Sequence, residues 1–112
     1  MKAYPYQSVE SQAVPGCPGV TIRWLIGENV NAPNFITRVI EIGPGAATEY
    51  HTHDWEHEVY VLGGHGYVRD ADGKVEVGLG SCVYVEPNEI HQFVNSGDEA
   101  FRFICVIPKP KA

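Results

Sequence analysis

The sequence predicts an all-β fold, and three observations carry that prediction. Short runs rich in Val, Ile, Tyr and Phe recur along the chain. Turn signals built on Gly, Pro and Asn separate them. No segment sustains the i, i+3, i+4, i+7 apolar spacing of an amphipathic helix. Eight runs read as strands, at residues 21–26, 35–42, 59–62, 66–69, 75–77, 81–85, 91–94 and 100–107. Gly43-Pro44-Gly45, Gly63-Gly64, Asp72-Gly73, Gly78 and Gly80, Pro87-Asn88 and Ser96-Gly97 punctuate them. Asp72-Gly73, flanked by YVRD and KVEV, reads as a hairpin with a type I′ turn, whose two central residues need positive φ. His65, between glycines in GGHGY, reads as a solvent-exposed residue of a second hairpin turn. Short strands this closely spaced close into a sandwich or a barrel.

With 112 residues the chain has room for one core. Surface scaling gives roughly 6,000 Å² folded against roughly 18,000 Å² unfolded, so about two-thirds is buried without staples. The expected organisation is an N-terminal arm at 1–20, a barrel at 21–108 and a tail at 109–112. A net charge of −6 argues against nucleic-acid binding, which needs a basic face. The longest apolar run, Phe103 to Ile107, is far below the roughly 18 residues of a membrane span. The N-terminus lacks the apolar region of a secretory signal, and a cytoplasmic setting is expected. Cys17, Cys82 and Cys105 are odd in number and widely spaced, which fits small apolar residues in or near the core rather than a disulfide framework.

The chemistry is concentrated in the histidines. His51, His53 and His57 fall within seven residues, and His91 opens a later strand. In a strand, residues i and i+2 face the same way, about 6.6 Å apart. His51 and His53 can therefore converge on one point. Clustered imidazoles repel when protonated and bury unpaired nitrogens when neutral, unless something accepts their lone pairs. A divalent cation does so.

Two motifs then resemble a known family, the cupins, and within it the small single-domain, four-histidine members. The first cupin motif, G(X)5HXH(X)3–4E(X)6G, is matched within PGAATEYHTHDWEHEVYVLGG by Gly45, His51, His53 and the Glu58 region. The second, G(X)5PXG(X)2H(X)3N, is matched by Gly80, His91 and Asn95 around VEPNEIHQF. The expected PXG is absent, because Pro87 lies closer to His91 and no glycine follows it. The resemblance implies a double-stranded β-helix, or jelly-roll, barrel. It also implies one divalent transition metal held by His51, His53, His57 and His91. Manganese or iron is most often found in such proteins, with nickel, copper, cobalt and zinc also represented. Glu58 is the alternative third ligand. His57 shares its strand face with Val59 and Val61, and Glu58 shares the other with Tyr60 and Leu62.

Strand parity sketches the pocket around that metal. Phe93 follows His91 inward, and Phe103 and Cys105 face in with Phe101 and Ile107. Ile40, Val59 and Trp24 complete the expected lining. Arg38 has the parity of Ile40 and is a candidate for a substrate carboxylate, with a solvated surface Arg as the commoner alternative. The expected function is a small-molecule oxidoreductase of dioxygenase type. The alternatives are a non-catalytic binding or sensor cupin, and a metal-dependent isomerase or lyase acting on a carbonyl compound. A homodimer is expected, with the arm adding or exchanging an edge strand.

Overall fold

The computed structural model describes residues 1–110. Among these described residues nine strands form: β1 (Gln12–Ala13), β2 (Val20–Ile26), β3 (Phe35–Ile42), β4 (His57–Gly63), β5 (His65–Arg69), β6 (Lys74–Gly78), β7 (Cys82–Val85), β8 (Gln92–Asn95) and β9 (Phe101–Pro108). They build a six-stranded sheet of order β1-β2-β3-β9-β4-β7 and a three-stranded sheet of order β6-β5-β8. All pairings are antiparallel. This is a double-layered jelly-roll barrel.

The core follows from alternation. In β9 every second residue is buried, from Phe101 through Phe103 and Cys105 to Ile107. Register places Ile42, Ile40, Arg38 and Ile36 of β3 opposite those four. Directly opposed residues share a face, so all eight point into the barrel. Phe101 and Phe103 are fully buried, each adding about 1.5–3 kcal/mol of hydrophobic stabilisation.

Residues 46–51 carry no strand of their own but run antiparallel beside β8. The Thr48 N–H donates to the Phe93 carbonyl, and Asn95 N–H donates to Ala46. The Asn95 side chain ties the barrel end together by donating to the Ile42 and Glu99 carbonyls.

Three local expectations are corrected. The β5–β6 hairpin exists, with Arg69 opposite Lys74, but neither Asp72 nor Gly73 takes positive φ. The loop has four residues, and the Asp70 carboxylate accepts from the N–H groups of Asp72 and Gly73, which removes the need for a type I′ turn. Gly63-Gly64 is not a hairpin either: β4 and β5 belong to different sheets, and the chain crosses between them there. Gly64 takes φ 71, and a Cβ would lie 2.2 Å from the Ala100 carbonyl oxygen, so no other residue fits without moving the backbone. Cys82 is exposed on the outer face, while Cys17 and Cys105 are buried.

The N-terminal arm adds its edge strand in cis, with β1 on β2 of its own chain. Of the expected tail, residues 111–112 lie outside the described residues. Among those described, no helix is long and apolar enough to cross a membrane.

Candidate metal centre

Three separate segments deliver the histidines to one point. His51 and His91 oppose each other in an isolated antiparallel bridge and exchange both backbone hydrogen bonds, at 3.2 and 3.0 Å. The His53 carbonyl accepts from the Asn88 N–H at 2.7 Å, which docks the turn before His91 onto the first motif. Counting from Gly80 puts Asn88 where the second motif expects glycine, and Asn88 takes φ 67. Asparagine tolerates that left-handed conformation better than most residues, so the turn survives without its glycine. His57 opens β4 opposite Val85.

The rings converge. Centroids lie 5.2 Å apart for His51–His53, 4.9 Å for His51–His91, 4.4 Å for His53–His57 and 5.2 Å for His57–His91. His51 Nδ1 lies 2.7 Å from the Glu49 carbonyl, His53 Nδ1 2.8 Å from Trp55 and His91 Nδ1 2.8 Å from Glu89. A carbonyl only accepts, so each of these Nδ1 atoms carries the proton and each Nε2 keeps its lone pair. His51, His53 and His91 present ligand atoms all within 4.8 Å of one another, and this group can hold a metal ion. Fixing the tautomer through the second ring nitrogen is how protein metal sites orient imidazole. The donor set fits a divalent transition metal.

His57 is held differently. Its Nδ1 lies 2.8 Å from the Cys105 thiol, and its Nε2 lies 2.5 Å from His53 Nε2. His53 Nε2 has no proton to give, so the two nitrogens share a proton from His57 or face a common cation. Burial pushes the His57 pKa down to about 3, with the Arg38 charge and the neighbouring imidazoles acting the same way. His53 and His91 are also lowered by burial, opposed in part by their Trp55 and Glu89 carbonyl partners. His53, His57 and His91 are thereby held neutral and ready to donate lone pairs at physiological pH.

A cavity of about 190 Å³ holds all four imidazoles. Ile40, Phe93, Phe103 and Cys105 line it as parity predicts. Val59 faces inward but packs in the core behind the cavity. Trp24 is a correction. It is 41% exposed and borders a different cleft with Gln12, Gly27 and Ile36. Trp24 pairs directly with Arg38 and shares its face, but it packs against the guanidinium rather than on the cavity wall. Ile22, on the same strand face as Trp24, does line the cavity, and Val14, Cys17 and Val20 join it from the arm and its junction, which periodicity within the barrel could not reveal.

The facing of β4 is settled by burial: His57, Val59 and Val61 are buried, and Glu58 and Tyr60 are exposed. Glu58 lies on the outer face, opposite Tyr84 and Val106. His65 is exposed, at the start of β5. Arg38 reverses the commoner expectation. It lines the cavity, and its guanidinium donates to Cys105 Sγ at 2.9 Å. The signal was present: Arg38 shares the strand face of Ile36, Ile40 and Ile42.

The fold and the cluster together define a small jelly-roll barrel with a histidine cluster inside it that could hold a metal ion. Residues 38–107 match the cupin domain family. The chain belongs to the cupins. It is 34% identical to the polyketide cyclase RemF from Streptomyces resistomycificus, covering 96% of this chain and 79% of that one with a TM-score of 0.90. It is 29% identical over 69 residues to an oxalate-binding protein of Thermotoga maritima, which is 61% of this chain and spans 57% of that relative's length. A sugar phosphate isomerase of the cupin superfamily from Silicibacter pomeroyi shares the fold at 21% identity, with a TM-score of 0.83 over 97% of this chain and 76% of that one.

Proposed function

We propose that the chain is a metal-dependent enzyme that activates a small carbonyl compound for isomerisation, elimination or ring closure. One divalent transition metal, manganese or iron in the first instance, is held by His51, His53, His57 and His91. The observation that carries this reading is the set of three Nδ1–carbonyl bonds, which leaves three Nε2 lone pairs converging in an apolar cavity. When bound, the metal supplies Lewis acidity, polarising a carbonyl or making an oxygen acid stronger.

The chain's own residues supply the rest. Phe93 and Phe103 stack at 4.6 Å and form a flat apolar wall. Trp55 stacks on His53 at 4.4 Å and covers that ligand from the mouth. Arg38 places a fixed positive charge on the wall formed by β3 and β9. At about 190 Å³ the cavity is smaller than the roughly 300–1,000 Å³ of a drug-sized site, so it takes a small molecule or the reacting end of a larger one. The similarity to a polyketide cyclase supports carbonyl chemistry of this kind.

A second reading, a dioxygenase-type oxidoreductase, is supported by the neutral ligand set, which would leave positions open for both O₂ and a chelating substrate. Against it stands the Cys105 thiol beside His57, a target for any oxidant generated there. The test is deuterium exchange at the central carbon of a 1,3-dicarbonyl by protein loaded with Mn²⁺, Fe²⁺ or Zn²⁺, with O₂ uptake followed in parallel. Metal-dependent exchange under argon is expected. Turnover only with O₂ would establish the dioxygenase reading, and binding without either activity the non-catalytic one.

The homodimer belongs to the same proposal, in a cytoplasmic setting. Tyr60, Cys82 and Tyr84 form a contiguous exposed patch on the outer face of β4 and β7. Sedimentation of a monomer at micromolar concentration would remove it.

A further inference from the structure

We propose that Arg38 is the specificity-determining residue of the cavity, and that it takes the carboxylate of a small aromatic acid. This deepens the reading above and rests on it for the identity of the site as a substrate pocket. Four imidazoles bring no negative charge, and a bound dication would add two positive ones. Arg38 adds another. The carboxylate on the cavity lining is Glu49, which is exposed at the rim.

The guanidinium itself is under-satisfied. It has five N–H donors. One nitrogen donates to Cys105 Sγ, a weak acceptor, and the buried Nε–H has no partner. Trp24 lies beneath the group, 5.4 Å from Cζ to ring centroid. Among the described residues the one ion pair is Arg102 with Glu41, and Arg38 has none. The planar fork of arginine matches a carboxylate in a bidentate manner, which neither a thiol nor an indole face does. The remaining walls, Phe93 and Phe103 stacked at 4.6 Å and Trp55, suit a flat apolar body attached to that anion.

The molecule carries a tryptophan reporter beside Arg38 and another beside the histidine cluster. Trp24 lies against Arg38, and Trp55 stacks on His53. Benzoate and the isosteric neutral benzamide are titrated by tryptophan fluorescence and calorimetry against wild type, Arg38→Gln and Arg38→Lys. Each protein is examined metal-free and loaded with Zn²⁺. Wild type is expected to prefer benzoate by at least about tenfold in both states, because Arg38 supplies charge without the metal. Arg38→Gln is expected to lose about 10- to 100-fold in benzoate affinity, the size of a hydrogen bond to a charged group, with zinc content unchanged. Arg38→Lys is expected to fall between them.

Equal binding of benzoate and benzamide by metal-free wild type would overturn the proposal, as would no benzoate binding at all. Undiminished benzoate affinity in Arg38→Gln would also overturn it. If Arg38→Gln fails to melt cooperatively, metal-free wild type and Arg38→Lys decide alone. Failure to take up zinc would sink the metal reading while leaving the metal-free comparison intact, so the two failures are distinguishable.

Discussion

Two arginines lie on central strands of the same sheet, and their surroundings are opposite. Arg102 points outward from β9 and meets Glu41 at 3.7 Å, with both side chains 36% exposed. Arg38 points inward from β3, opposite the fully buried Cys105, and meets only that thiol and the Trp24 ring. Both have a buried Nε without an acceptor, so an orphaned nitrogen does not distinguish them. The missing carboxylate does. Charge on the outer face has been neutralised by a partner within the fold. Charge on the inner face has been left open, beside a histidine cluster that also lacks a counter-charge.

The contrast is sharpened first at the inner cluster. His91→Ala is expected to abolish stoichiometric metal binding, with affinity weakened beyond the 10- to 100-fold typical of losing an outer-shell partner; calorimetric titration with Zn²⁺ checks it. His65→Ala, on the exposed start of β5, is expected to bind as wild type does. Phe103→Ala, removing a fully buried wall shared by cavity and core, should cost about 3–5 kcal/mol by chemical denaturation. Cys105→Val removes the partner of His57 Nδ1 and should weaken metal binding about 10- to 100-fold, whereas Cys105→Ser, which keeps an acceptor, should lose less. On the outer face, Arg102→Gln should change stability by no more than about 1 kcal/mol, as for other exposed pairs. A large effect there with none at Cys105 would break the comparison.

Acid sharpens it further. His57 is pushed down to about 3 in the fold, from an ordinary value of about 6.5. Above pH 6.5 neither folded nor unfolded protein binds that proton, and stability is unaffected. As pH falls from about 6.5 towards 3, the unfolded chain takes up protons that folded His57 refuses, so metal-free protein should lose stability across that window. His53 and His91 act in the same direction. A flat denaturation midpoint between pH 7 and 4 would contradict this account of the cluster.

Much of this was legible in the residues. Strands β2 to β9 emerged within one or two positions from β-branched runs and glycine punctuation, and the histidine cluster from its spacing. Alternation correctly placed Phe101, Phe103, Cys105 and Ile107 on one face, because β9 is paired on both sides over most of its length. Alternation gives the face of a side chain and not its reach: Trp24 shares the face of Arg38, its β3 partner, yet packs against that guanidinium outside the cavity. Arg38 was misweighed for a different reason. Parity put it inside, and a general preference for solvated arginine opposed that, but only register shows the fully buried Cys105 opposite it. Asn88 was hidden because its left-handed φ replaces a glycine by conformation, not by letter.

Four imidazoles converging on one cavity are expected to hold one metal ion. Elemental analysis of protein purified without chelators or added metals tests it most directly. Close to one equivalent of a divalent transition metal per chain is expected. Protein that carries none, and takes up neither Mn²⁺, Fe²⁺ nor Zn²⁺ stoichiometrically at neutral pH, would contradict it.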